Sequence, residues 1–212
     1  MNSRQFLPEL QYAIRRNLAE TSVERIDSDC LRRAAVAIVV MEHPQYPGLP
    51  CFALTRRVSR MSRHAGQYAL PGGKLDRGET AQRAALRELE EELGLSVTEN
   101  DIMGCLDDYA TRSGFCITPV VMWAETAADI QPNPDEVAEV FYVPLCELEN
   151  DGLIVLEPGE SSERPVFSID LPTIGHQIYA PTAAMIYQFY ECGMNGNSIR
   201  VSHYDQPRFA WK

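Results

Sequence analysis

The sequence contains no C-x-x-C pair, no apolar run of membrane-spanning length and no internal repeat, and each absence removes a class of protein. Cys30, Cys51, Cys105, Cys116, Cys146 and Cys192 stand singly, without the spacing of zinc ligands or of a small disulfide framework. They are expected as reduced, partly buried thiols. The first residues carry no apolar signal segment, and Phe209-Ala210-Trp211-Lys212 matches no familiar sorting address, so a cytoplasmic protein with no membrane partner is expected. Positive charge is also scarce: 19 Lys and Arg stand against 30 Asp and Glu, a net charge of −11 that argues against a general nucleic-acid partner. Histidine is rare too, and His43, His176 and His203 fall in no partner pattern.

What is present suits one domain, since 212 residues are ample for a sizeable core. Residues 1–30 read as a helical extension, 31–192 as the main domain and 193–212 as a tail. Within the extension, Phe6, Leu10, Ile14 and Leu18 recur at helical spacing, predicting a peripheral helix or one that contacts a second copy in a homodimer. Ala34 to Met41 is a continuous apolar run typical of a buried strand, and the proline-rich stretch His43 to Pro50 is a loop. Strands are expected again at Cys51–Thr55, Ile102–Tyr109, Ile117–Ala124 and Val137–Val143, and a second core helix at Pro181–Tyr190.

The densest signal lies between Pro71 and Leu95. Thr80 is a good N-cap, Ala81 to Leu93 is a run of strong helix formers, and Gly94 supplies the stop. At about 100° per residue, Leu86, Leu89 and Leu93 fall on one side and face a core, while Glu88, Glu91 and Glu92 share another. Ala81, Ala84 and Ala85 precede the glutamates on that second face, leaving a strip with no bulky side chain. Like charges at this spacing repel by a few tenths of a kcal/mol per pair, and a bound cation reverses the sign. Hard oxygen ligands of this kind suit Mg²⁺ or Mn²⁺. An acidic helix face alone is usually a solvated surface. Here Pro71-Gly72-Gly73 upstream permits a tight turn and close backbone approach to a ligand, and Arg87 can reach Glu91 one turn on.

The segment resembles the Nudix box, G-x5-E-x7-R-E-U-x-E-E-x-G-U, on Gly73, Glu79, Arg87, Glu88, Leu89, Glu91, Glu92, Gly94 and Leu95. The resemblance implies an α/β/α sandwich with a mixed sheet and an enzyme cutting a nucleoside diphosphate linked to another group. It further implies Glu88, Glu91, Glu92 and the Gly72 carbonyl as metal ligands, Glu79 acting at the metal or through water, and Arg87 as the orienting residue. A general base is expected in Glu88 or in a carboxylate of the Asp135–Glu139 segment.

Just before the box, Arg56, Arg57, Arg60, Arg63 and His64 lie close together in an otherwise acidic chain. Guanidinium groups bind phosphate by paired hydrogen bonds, so Arg56, Arg57 and Arg63, with His64, are candidate substrate ligands. The region is similar to a second signature, of the coenzyme A diphosphatase branch, at Leu54, Thr55, Arg57, Gly66, Pro71, Gly72 and Gly73. It departs at Val58, Ser62 and Leu70. That likeness implies coenzyme A or a derivative as substrate, its 3′-phosphate held by the arginines. The alternatives are another diphosphate, such as ADP-ribose or a dinucleotide, and a Nudix-like module that binds a nucleotide without cutting it.

Overall fold

The computed structural model describes residues 5–58, 67–125, 127, 130–150, 152–159 and 164–208. In chain order it begins with α1 (Pro8–Glu20), β1 (Arg32–Glu42), β2 (Pro50–Arg57), β3 (Tyr68–Ala69) and β4 (Gly72–Lys74). There follow α2 (Ala81–Leu93), β5 (Ile102–Cys105), β6 (Tyr109–Ala110), β7 (Phe115–Trp123) and β8 (Val137–Pro144). The chain continues through β9 (Ile154–Glu157), β10 (Val166–Leu171), β11 (His176–Tyr179) and α3 (Thr182–Gln188).

Among the described residues eight strands form one mixed sheet, in which β1 runs parallel to β7 and antiparallel to β2 and β4. Alternate residues of β1 separate into two cores, as a strand buried on both faces requires. Ala35, Ala37, Val39 and Met41 join Ala53 and the α2 residues Ala84, Ala85, Leu89 and Leu93. Ile38 and Val40 join Phe52, Leu54, α1 and α3 on the opposite face. The result is the expected three-layer α/β/α arrangement. Small side chains bring α2 close to the sheet, whereas Phe52, Phe167 and Phe189 fill the other side, each burial contributing roughly 1.5–3 kcal/mol.

Several elements differ from expectation. α1 is not peripheral: Ile14 and Leu18 are fully or almost fully buried, and Leu18 packs so closely on β5 that a Cβ at Gly104 would lie 3.0 Å from its own. Arg15 ties the helix down by donating to the carbonyls of Asn100 and Ile102. The strand expected over Ile102–Tyr109 is interrupted, because Asp107 and Asp108 turn inward to side-chain partners between β5 and β6. The second core helix starts as expected but continues past Gln188 as a π-helical segment, Phe189–Met194. A separate antiparallel sheet of β9, β10 and β11 has no counterpart in the sequence reading. The cysteines are free thiols, with Cys51, Cys116 and Cys192 buried, Cys105 partly so, and Cys30 and Cys146 exposed. Among the described residues no helix is long and apolar enough to cross a membrane.

Candidate active site

α2 forms as its sequence dictates. The Thr80 hydroxyl accepts from the Arg83 N–H, and Gly94 ends the helix in the left-handed conformation at φ 64°. The carbonyls left over at its C-terminus are taken by the next loop: the Gln131 N–H donates to Leu93 and the Asn133 N–H to Glu92. These two bonds draw the acidic segment after Asn133 back against the helix.

Arg87 is the hub of the site. Its Nε and Nη2 donate to the two oxygens of Glu79, both at 3.0 Å, and its Nη1 donates to Glu88 at 2.9 Å and Glu91 at 3.0 Å. Nη2 also reaches the Lys74 carbonyl at the end of β4, so one guanidinium ties the helix to the glycine strand. The hydrogen bond from Arg87 holds Glu79 below the ordinary carboxylate range, and the same bond raises Arg87 itself.

Glu92 corrects the expectation that the glutamates avoid the core. It is 1 % exposed, because Ala84 and Ala85 do not line an open strip but press into the sheet, and the same face carries Glu88 and Glu92 one and two turns on. Glu92 accepts from Arg57 Nη1 at 3.2 Å and from the Gly72 N–H at 3.3 Å. Burial pushes its carboxyl up to about 7, against the pull of Arg57 and with added repulsion from Glu88 and Glu136. Glu88 is raised as well, again mainly by burial. Gly73 explains how β4 and α2 come this close: a Cβ there would lie 2.3 Å from Glu88 Oε1. The backbone of the glycine turn therefore lies directly against the carboxylates.

The structure thus gathers Glu79, Arg87, Glu88, Glu91, Glu92, Gly72 and Arg57 at the junction of β2, β4 and α2. Their donor atoms suit a hard divalent cation in kind, being four carboxylates that share two arginines beside a half-buried run of glycine backbone. Among the described residues no three His, Cys, Asp or Glu side chains converge on one point, since Arg87 holds Glu88 and Glu91. Arg56 and Arg57 do not act together: neighbours in a strand point to opposite faces, and Arg56 donates to Glu139 at 2.8 Å. Arg60, Arg63 and His64 lie outside the described residues. Of the Asp135–Glu139 segment, Glu136 is the carboxylate whose charge bears on both Glu88 and Glu92. The sequence offered only the segment, because which residue faces α2 depends on a register shift of β8 against Arg56 and Arg57 of β2.

The chain is 39 % identical over 117 residues to the uncharacterized Nudix hydrolase NudL of Pectobacterium atrosepticum, covering 55 % of this chain and 59 % of that protein. NudL of Yersinia pestis is 38 % identical, with 55 % and 57 % covered. The chain thus spans less than two thirds of the length of these curated relatives. Among solved structures it is similar to a MutT protein from Methanosarcina mazei Go1, at 23 % identity and TM-score 0.44 over 61 % of this chain and 83 % of that one. It is also similar to the NUDIX domain of Shewanella oneidensis NrtR complexed with ADP ribose, at 19 % identity and TM-score 0.42 over 58 % and 78 %. A family model described as the NUDIX domain matches residues 31–167, the stretch that runs from β1 through the Arg87 hub to the start of β10, and the chain belongs to the Nudix family.

Proposed function

We propose that the chain is a hydrolase that splits a nucleoside diphosphate linked to another moiety, with coenzyme A or a derivative as the substrate to test first. The observation that carries the reaction class is the contact of the glycine turn with the carboxylates, Gly73 against Glu88 and the Gly72 N–H on Glu92. Glu88, Glu91, Glu92 and the Gly72 carbonyl would hold Mg²⁺ or Mn²⁺, which when bound neutralises diphosphate charge and acidifies a water. The chain's own residues do the positioning. Arg87 fixes Glu79, Glu88 and Glu91 to one rigid helix, and Arg57 restrains Glu92 from the sheet side. The acceptor for a proton leaving the attacking water would be Glu88 or, within the Asp135–Glu139 segment, Glu136, whose charge acts on both Glu88 and Glu92.

A second reading, hydrolysis of ADP-ribose or a dinucleotide, is favoured by one specific contact. Arg57 matches the coenzyme A signature, yet its Nη1 is engaged with Glu92 rather than turned to a distant phosphate. Measuring kcat/KM for coenzyme A, dephospho-coenzyme A, ADP-ribose and a diadenosine polyphosphate with Mg²⁺, with products identified, decides between the readings. Preference for coenzyme A over its dephospho form supports 3′-phosphate recognition, faster ADP-ribose cleavage promotes the second reading, and no cleavage of any of them overturns both.

A further inference from the structure

The connection from β7 to β8 ends in Gln131-Pro132-Asn133-Pro134-Asp135-Glu136, a turn that lies over the C-terminus of α2. Proline fixes its own φ and holds the residue before it extended, so Gln131 and Asn133, each followed by proline, have little freedom. Asn133 ties the turn together. Its N–H donates to the Glu92 carbonyl at 2.9 Å, and its own carbonyl accepts from the N–H groups of Glu136 at 3.1 Å and Val137 at 2.8 Å. Its Oδ1 accepts from the Asp135 N–H at 3.1 Å, an Asx turn. A Cβ at Gly94 would lie 3.2 Å from the Gln131 carbonyl, so the turn is seated on the helix stop. From the other side the Val58 N–H donates to the Glu136 carbonyl at 3.1 Å, and Val137 stands in register with Arg57. The peptide groups on both sides of Glu136 are therefore held, one by Asn133 and the other just past the end of β2.

We infer that Asn133 is a positioning residue, which couples Glu92 of α2 to Glu136 through its main chain and, through its side-chain Oδ1, fixes the turn that sets the Glu136 carboxylate against Glu88 and Glu92. The inference rests on the reading of Glu88, Glu91 and Glu92 as cation ligands and adds to it what keeps Glu136 at their side. Glu136 is half-buried, and its negative charge acts on both Glu88 and Glu92. Like charges push such a side chain out towards water unless its backbone is fixed. A plain helix stop would not need an asparagine here, because the bond to the Glu92 carbonyl uses only a main-chain N–H, which every residue except proline supplies. The side-chain oxygen is spent instead on the Asp135 peptide, the one that leads directly into Glu136.

Isothermal titration of the full chain with Mn²⁺ alone reads the position of Glu136 without any substrate, since a carboxylate beside a cation site strengthens binding. Glu136→Gln should weaken Mn²⁺ binding about fivefold and Asn133→Ala about threefold, and the double variant should be no weaker than Glu136→Gln. Asn133→Ser, whose hydroxyl accepts the same bond, should recover most of the loss. In turnover of whichever diphosphate is cleaved, Asn133→Ala should lower kcat roughly tenfold with KM little changed, and again add nothing to Glu136→Gln. Losses that multiply in the double variant, wild-type Mn²⁺ affinity in Asn133→Ala, or an Asn133→Ser as weak as Asn133→Ala each overturn the positioning role and leave the proposed hydrolysis standing. Coupled losses of Mn²⁺ affinity in a chain that cleaves no diphosphate keep the role of Asn133 and overturn the hydrolysis. No Mn²⁺ binding in the wild type overturns both.

Discussion

Glu92 and Asp108 are both shut away from solvent, with side chains 2 % and 0 % exposed, and burial pushes both carboxyls upward. Their neighbours then drive them apart. Asp108 accepts from the Thr118 hydroxyl at 2.7 Å, the Ile26 N–H at 3.0 Å, and Arg25 and Arg33, both at 3.1 Å, and ends below the ordinary carboxylate range. Glu92 has one backbone N–H and one arginine, faces Glu88 and Glu136, and stays near 7. Burial alone therefore does not decide the state of a carboxylate; the supply of donors does. Asp108 is a finished joint between the segment before β1 and strand β7, whereas Glu92 keeps a deficit of positive charge at the place where a ligand is proposed.

Exchanging each group for its amide tests that contrast. Asp108→Asn should cost roughly 3 kcal/mol in urea unfolding, because two arginines lose their buried counter-charge. It should leave the kcat of folded molecules unchanged. Because the folded Asp108 carboxyl lies below the unfolded value of about 3.9, its stabilisation is complete above that value and is lost as the pH falls through the folded one. The stability gap between wild type and Asp108→Asn should close correspondingly in acid. Glu92→Gln should act the opposite way, lowering kcat/KM by at least about a hundredfold. Its melting temperature in the absence of divalent cation should hold or rise, since an under-compensated buried charge has gone. Mg²⁺ should raise the melting temperature of the wild type more than that of Glu92→Gln. A Glu92→Gln enzyme with normal turnover and reduced stability would place Glu92 in the same structural role as Asp108. The smallest effect is expected of Gly73→Ala, whose new Cβ must displace the Glu88 carboxylate; a roughly tenfold loss of kcat with little change in melting temperature is the outcome to check.

The contrast also marks what the sequence could reveal. Thr80, Gly94 and the helix formers between them act locally, and α2 begins and ends where they indicate. Ala34–Met41 likewise announces a strand buried on both faces, and β1 is one. The spacing that put Arg87 beside Glu91 is realised, and the same guanidinium also reaches Glu79 across the preceding turn. The burial of Glu92 was hidden because the alanines and the leucines of α2 form one continuous face against the sheet, and Glu92 lies within it. How wide that face is buried is settled by strands distant in sequence. The opposed faces of Arg56 and Arg57 follow from strand alternation, but their partners, Glu139 and Glu92, lie on different elements and could be named only once β8 and α2 were placed. β9 to β11 escaped because they are short and their alternation is broken by polar residues.

The unequal packing of the two sheet faces has a hereditary consequence. On the side of Phe52, Phe167 and Phe189, large side chains can be traded against one another with their total volume kept, and such exchanges are the ones cores tolerate best. On the other side, the positions Ala35, Ala37, Ala53, Ala84 and Ala85, where α2 meets the sheet, have no side-chain volume to trade. Any enlargement there lifts α2 and carries Arg87 and its carboxylates away from the glycine turn. A lineage of such chains has room to wander on one side of a single sheet and almost none on the other.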